Sequence, residues 1–188
     1  MRKLTTAALV AATIASSGLF SAPAHAEGFL SRLMARKDWQ CVTFARAFSG
    51  VQIFGDAWTW WNSATGKYKR GDAPEQGAVL VFKKTPRMTR GHVAVVSDVV
   101  TDRIVQITHA NWSPINGRRG QVEQDVTMID VSDAGDWSEV KVWYGPTEDL
   151  GGSSYPTYGF IYQEPTPRLT YASTGGSGPT DVETALSR

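Results

Sequence analysis

The 188-residue chain contains one cysteine, Cys41, and three histidines, His25, His92 and His109. A thiol and two imidazoles are the side chains of nucleophilic acyl transfer. The thiol attacks, a histidine takes its proton, and a third group fixes that histidine's tautomer. Cys41, His92 and His109 could instead hold a catalytic zinc with water as fourth ligand. A buried, inert cysteine with two ordinary histidines is the plainer alternative. A single cysteine excludes an internal disulfide framework, a multi-cysteine zinc site and an iron–sulfur cluster.

For any of these chemistries the chain must bring Cys41 to the two histidines. Asp38 can cap a helix that begins at Cys41 and ends at Gly50, which puts the thiol in the first turn, where free N–H groups and the helix dipole favour a thiolate. Ahead of it, Gly28–Lys37 carries Phe29, Leu30, Leu33 and Met34 at helical spacing. A second helix is expected over Asp56–Ala64, and a polar loop over Gly66–Gln76. From there the pattern changes to strands: Ala78–Lys83, Gly91–Val100, Ile104–Asn111, Val122–Val131, Glu139–Trp143 and Tyr158–Tyr162. Gly151–Tyr155 reads as a flexible insertion. Asp102-Arg103 is a hairpin turn between the second and third of these strands, so His92 and His109 become neighbours. Period-two alternation places His109 and Asn111 on one face and Ala110 on the other, so Asn111 could share the orienting role or bind substrate. Helices followed by a run of strands predict an α+β fold with a small antiparallel sheet.

Composition narrows the function classes. Lys and Arg total 19 against 18 Asp and Glu, so the basic excess expected of a nucleic-acid-binding chain is missing. Residues 1–26 read as a secretory signal: Arg2 and Lys3, an uncharged apolar run from Leu4 to Phe20, then small residues ending at Ala26. A membrane anchor is the alternative, but Thr and Ser interrupt the run and Pro23 closely follows it. Cleavage after Ala26 would remove His25 and turn the net charge from +1 to slightly negative, leaving no membrane anchor and a chain destined for the periplasm or the exterior. A free thiol is unusual in such a compartment unless it is buried or kept for its chemistry. The predicted organisation is a signal (1–26), one catalytic domain (27–165) and a tail (166–188) too poor in core-forming residues to order.

Three other clusters have ordinary readings. Trp58, Trp60 and Trp61 could stack on sugar rings, but aromatics at helical spacing more often form core. Lys83, Lys84 and Arg87–Arg90 could hold carboxylates or phosphates, although a solvated hairpin loop is the commoner role. Asp125, Asp130, Asp133 and Asp136 lack a calcium-loop pattern and read as scattered surface charge.

Gln40-Cys41-Val42-Thr43-Phe44 resembles the nucleophile motif of CHAP domains, the cysteine- and histidine-dependent amidohydrolases/peptidases of the papain-like NlpC-type superfamily. Gly55–Trp58, Pro74–Phe82, Gly91–Val96 and His109–Trp112 resemble further stretches of that family, in order. The resemblance implies a papain-like α+β fold, with N-terminal helices packed on a small antiparallel sheet. It also implies hydrolysis of an amide in peptidoglycan, either a muramoyl-L-alanine bond or a stem-peptide or cross-link bond. Cys41 would be the nucleophile, His92 the base and His109 the orienting group, with no cofactor or metal. Asn111 would help His109, the Cys41 N–H would be the first oxyanion donor, and the Gln40 side chain is a weaker candidate for the second. Trp112 stands beside the site and could contact substrate. CHAP enzymes commonly carry an acidic residue where His109 stands; a histidine there is the NlpC-type pattern. A non-catalytic cell-wall-binding or regulatory module that keeps the fold is the alternative, and no regulatory partner is identified.

Overall fold

The computed structural model describes residues 24–163. The expected signal lies outside these residues apart from its last three, and the expected tail lies outside them altogether. Helix α1 (Ala24–Ala35) is followed by α2 (Cys41–Ser49) and by a 3-10 turn (Ala57–Thr59) that runs into the short α3 (Trp60–Ser63). The strands are β1 (Lys69–Gly71), β2 (Val79–Phe82), β3 (His92–Val99), β4 (Ile104–Ala110), β5 (Val122–Asp130), β6 (Glu139–Tyr144), β7 (Asp149–Leu150) and β8 (Tyr155–Tyr162). Most expected elements recur with trimmed ends, but α1 begins at Ala24 rather than Gly28, β6 runs on to Tyr144, and β8 begins at Tyr155 rather than Tyr158. Two further departures are β1, inside the expected 66–76 loop, and β7, just before the expected insertion.

The architecture overturns the expected papain-like arrangement of helices on a small sheet. The strands run in the order β1-β8-β2-β3-β4-β5-β6-β7, all antiparallel, and β8 also pairs with β6 through Glu139↔Pro156 and Val140↔Tyr155. That last pairing closes β2, β3, β4, β5, β6 and β8 into a six-stranded barrel. Closure satisfies backbone groups that an open sheet would leave along two edges. It also moves the main core to the barrel interior, where Leu80, Phe82, Val96, Ile107, Met128, Val142 and Phe160 meet. Truncating a fully buried ring such as Phe160 to Ala costs about 3–5 kcal/mol, a large share of a domain's total stability.

The helices cover only part of the barrel's outer face. Ala45, Val51, Ile53, Trp60 and Ala64 pack on the outward side chains Val79, Val81, Val93, Val95 and Ile161. All four residues of β2 are therefore buried, two inward and two under the helices. Helix α2 buries Phe44, Ala45 and Ser49 and ends at Gly50, whose φ of 80° lets its N–H reach the Arg46 carbonyl. Leu33 of α1 closes a smaller cluster with Trp39, Phe44 and Ala110. That cluster anchors the start of α2 against the end of β4, the two places that carry the thiol and the second histidine.

Candidate active site

Cys41 is the first residue of α2. Gln40, not the expected Asp38, is the N-cap: its backbone is extended (φ −93°, ψ 145°) and its carbonyl accepts from Phe44 N–H and the Thr43 hydroxyl. Asp38 instead pairs with Arg36 at 2.9 Å. No side chain caps α2 and no acidic residue lies in its first turn, so its leading N–H groups are not taken up by a capping side chain. Burial pushes the Cys41 thiol above its ordinary range, against the opposing pull of the Val93, Val42 and Cys41 N–H groups. The expected preference for thiolate at this helix start is thus outweighed by desolvation, and the resting group is a thiol.

Gly91 turns the chain into β3, with φ at +67°. A Cβ there would lie 2.7 Å from Trp58 N and 2.9 Å from Phe82 O, so only glycine fits this approach. The next residue, His92, pairs across the sheet with Phe82 and is 4% exposed. Alternation puts it on the inner face at one end of the barrel, in phase with Ala94 and Val96. His109 lies on the inner face of β4 in phase with Val105 and Ile107, and it is fully buried. His92 Nε2 and His109 Nδ1 are 3.0 Å apart. Burial holds His92 well below the ordinary imidazole range, with His109 and Arg119 adding to the effect. Burial alone lowers His109 to about 3. Both rings are neutral at neutral pH, so one donates and the other accepts in the bond between them.

A cavity of about 1080 Å³ opens over this end of the barrel, and Gln40, Cys41, His92, Asn111 and Trp112 all line it. His109 sits behind His92, outside the lining. A zinc held by Cys41, His92 and His109 would need three donors turned to one point. Instead the two facing ring nitrogens are bonded to each other, and among the described residues no three His, Cys, Asp or Glu side chains form such a set. Asn111 does not share the His109 position. It lies beyond β4 at a positive φ of 67°, which breaks the expected alternation, and its Nδ2 donates to Gln40 Oε1 at 3.1 Å. This bond occupies the carbonyl end of the Gln40 amide and leaves the donor end to offer to a ligand. Trp112 is 7% exposed, donates from Nε1 to Trp143 O, and packs 4.8 Å from the His92 ring and 5.6 Å from that of His109. It forms a wall of the cavity against both imidazoles.

Three residues that their sequence context does not mark also stand at this site: Glu123, Ser113 and Arg119. Glu123 pairs with His109 across β4 and β5, and its Oε1 lies 3.9 Å from His109 Nε2. Ser113 holds this carboxylate through its backbone N–H (2.8 Å to Oε1) and its hydroxyl (2.6 Å to Oε2). Arg119 lines the cavity, as do Arg87 and Arg90 from the loop before His92. That loop is the cavity rim rather than a free hairpin, and Arg90 pairs with Asp56 at 3.2 Å. The only advance signal for Glu123 was the polar run Glu123-Gln124-Asp125 inside an apolar strand.

The remaining clusters are structural. Trp60 is fully buried core, Trp61 stacks on Tyr158, and the half-buried Trp58 lies under the Lys84 ammonium at 4.4 Å. Asp130 is not scattered surface charge: its buried carboxylate binds Arg103, Ser132 and Trp137 N–H. Asp125 bonds Thr108, and Asp136 bonds Ser138.

No curated protein matches the chain. The stretch from the end of α1 to Asn111, which contains Cys41, His92 and His109, matches the family model described as CHAP domain. CHAP domains are in general cysteine- and histidine-dependent amidohydrolases or peptidases, with peptidoglycan as their substrate. Residues 34–111 are thus similar to a CHAP domain.

Proposed function

We propose that the protein is an exported peptidoglycan hydrolase that cleaves an amide bond with Cys41 as nucleophile. The observation that carries this reading is the convergence on one cavity of a thiol at an open helix start and a histidine backed by a second, buried histidine. With Nε2 committed to His109, the His92 nitrogen left to accept a proton is Nδ1. In the first half-reaction the Cys41 proton passes to His92 Nδ1 as sulfur bonds to the amide carbon. The carbonyl oxygen becomes an oxyanion, with the Cys41 N–H as first donor and the Gln40 amide as second. His92 then returns the proton to the amine as the C–N bond breaks, leaving a thioester. Water attacks the thioester, gives its proton to His92, and the carboxylic acid departs as the thiol re-forms.

The uncharged resting pair suits this sequence. A buried thiol and a neutral imidazole avoid the cost of an ion pair before substrate arrives, and charge develops only where the N–H groups can meet it. Arg87 and Arg119 on the cavity wall fit the carboxylates of peptidoglycan stems. Export, through the signal read in residues 1–26, delivers the enzyme to that polymer. Digesting purified sacculi and muropeptides with the protein and reading products by mass spectrometry tests the proposal and names the bond. New amino termini on released fragments support it. Intact substrate with a folded protein contradicts it.

A further inference from the structure

The His92–His109 bond fixes only half of a tautomer. For His92 to present a bare Nδ1 to the thiol, its proton must sit on Nε2 and point at His109 Nδ1. His109 must then carry its own proton on Nε2. That atom is fully buried and has no hydrogen-bond partner. The nearest carboxylate oxygen is Glu123 Oε1, 3.9 Å away across the β4–β5 ladder.

Glu123 reaches this place through a backbone irregularity. Met128 and Val126 of β5 pack toward the barrel core, so unbroken alternation would send Gln124 inward and Glu123 out. The register instead slips between the Ile107↔Val126 and His109↔Glu123 pairs, and Asp125 adopts a φ of +50°. The extra residue leaves Gln124 and Asp125 exposed and turns Glu123 inward. The buried Thr108 secures the bulge: its hydroxyl meets Asp125 Oδ1 at 3.3 Å and the Asp125 N–H at 3.2 Å. Beyond the carboxylate, Gly145 N–H donates to Ser113 Oγ, which turns the Ser113 hydroxyl hydrogen toward Glu123. Both carboxylate oxygens therefore receive a donor, and Oε1 keeps acceptor capacity facing His109.

We infer that Glu123 is a positioning residue that acts through His109: it draws the His109 proton to Nε2, which leaves His109 Nδ1 to accept from His92 Nε2 and His92 Nδ1 bare toward Cys41. This rests on the proposed Cys41–His92 chemistry. In that chain His109 relays orientation and the fixed negative charge stands one ring further back, on the next strand. Arg119 also acts on His92, Cys41 lines the same cavity, and Asp56 acts on the thiol.

The test is the rate of Cys41 alkylation by iodoacetamide against pH, which needs no wall substrate. Glu123→Gln can offer its amide donor to His109, reverse both tautomers and turn a protonated nitrogen to the thiol. At pH 7 it is expected to alkylate about tenfold more slowly than wild type, equivalent to one pKa unit, with Glu123→Asp recovering part of the rate. In a His109→Ala background the same Glu123→Gln change should have no further effect. Wild-type alkylation by Glu123→Gln, or equal slowing in both backgrounds, overturns the inference. If Glu123→Gln does not fold, nitrogen NMR of the wild-type imidazoles decides: a proton on His109 Nε2 supports the inference and one on Nδ1 overturns it. Loss of the His92 dependence of alkylation would sink the underlying chemistry instead, and an inert sacculus with intact pH profiles would sink only the choice of substrate.

Discussion

His92 Nε2 and His109 Nδ1 lie 3.0 Å apart with their ring planes at 80°, and only the first ring reaches the cavity. The pair is thus asymmetric: one imidazole can meet substrate and the other can only hold it in place. His92→Ala should reduce sacculus hydrolysis to background. His109→Ala should lower kcat by about ten- to a hundredfold, the scale of leaving a catalytic group about 1 Å out of place, with KM little changed. Steady-state kinetics on both folded variants checks this. Equal loss would place His109 among the groups that act on substrate.

Burial of two neutral histidines makes stability fall in mild acid. An unfolded histidine takes up a proton near 6.5, whereas His109 in the fold does so only at about 3, and His92 is also strongly lowered. Between those values the unfolded chain binds more protons, so stability held above about pH 6.5 is lost as pH falls towards 3. Each histidine contributes up to about 1.4 kcal/mol per pH unit in that window. Urea midpoints at pH 7.5 and pH 5 should differ in that direction, and less so for His109→Asn. Identical pH dependence in the two proteins would contradict the assignment.

Gly91→Ala should both destabilise the fold and displace the base. The new Cβ meets backbone on two sides while φ stays positive, a strain on the order of 1–3 kcal/mol. The expected result is a lowered melting temperature and a fall in kcat larger than stability alone explains at 20 °C. A variant with wild-type melting and rate would show that this turn does not set the His92 position.

Asn111 and Gln40 should behave as one unit. Asn111→Ala frees the Gln40 amide to rotate, so Gln40→Ala, Asn111→Ala and the double variant should lose similar amounts of kcat, about a hundredfold. Additive losses in a double-mutant cycle would mean that they serve substrate separately.

Cys41, His92 and His109 stood out in the sequence because the chain contains so few such side chains, and because local patterns put them on a helix start and two hairpin-linked strands. Those patterns are short-range and survive folding: Gly50 ends its helix, and alternation holds over β2, over His92–Val96 of β3 and over Val105–His109 of β4. Barrel closure was not legible. It depends on Val140 finding Tyr155, a pairing that period-two alternation cannot encode. The role of Glu123 was hidden for a related reason, since one bulge residue at Asp125 reverses which face the preceding side chain occupies. Asn111 was misplaced by the same kind of event, a single positive φ at the end of β4. The Cys41 thiol was expected to be acidified by its helix, but the weight of its burial could only be read in three dimensions.

Every role proposed for this site turns on the Cys41 sulfur forming the bond to the substrate carbonyl. Purified, folded Cys41→Ala is therefore the decisive variant, assayed on sacculi with fragments read by mass spectrometry. It should give no release above the buffer control while the wild-type protein generates new amino termini. Release at the wild-type level by Cys41→Ala would exclude this sulfur as the nucleophile.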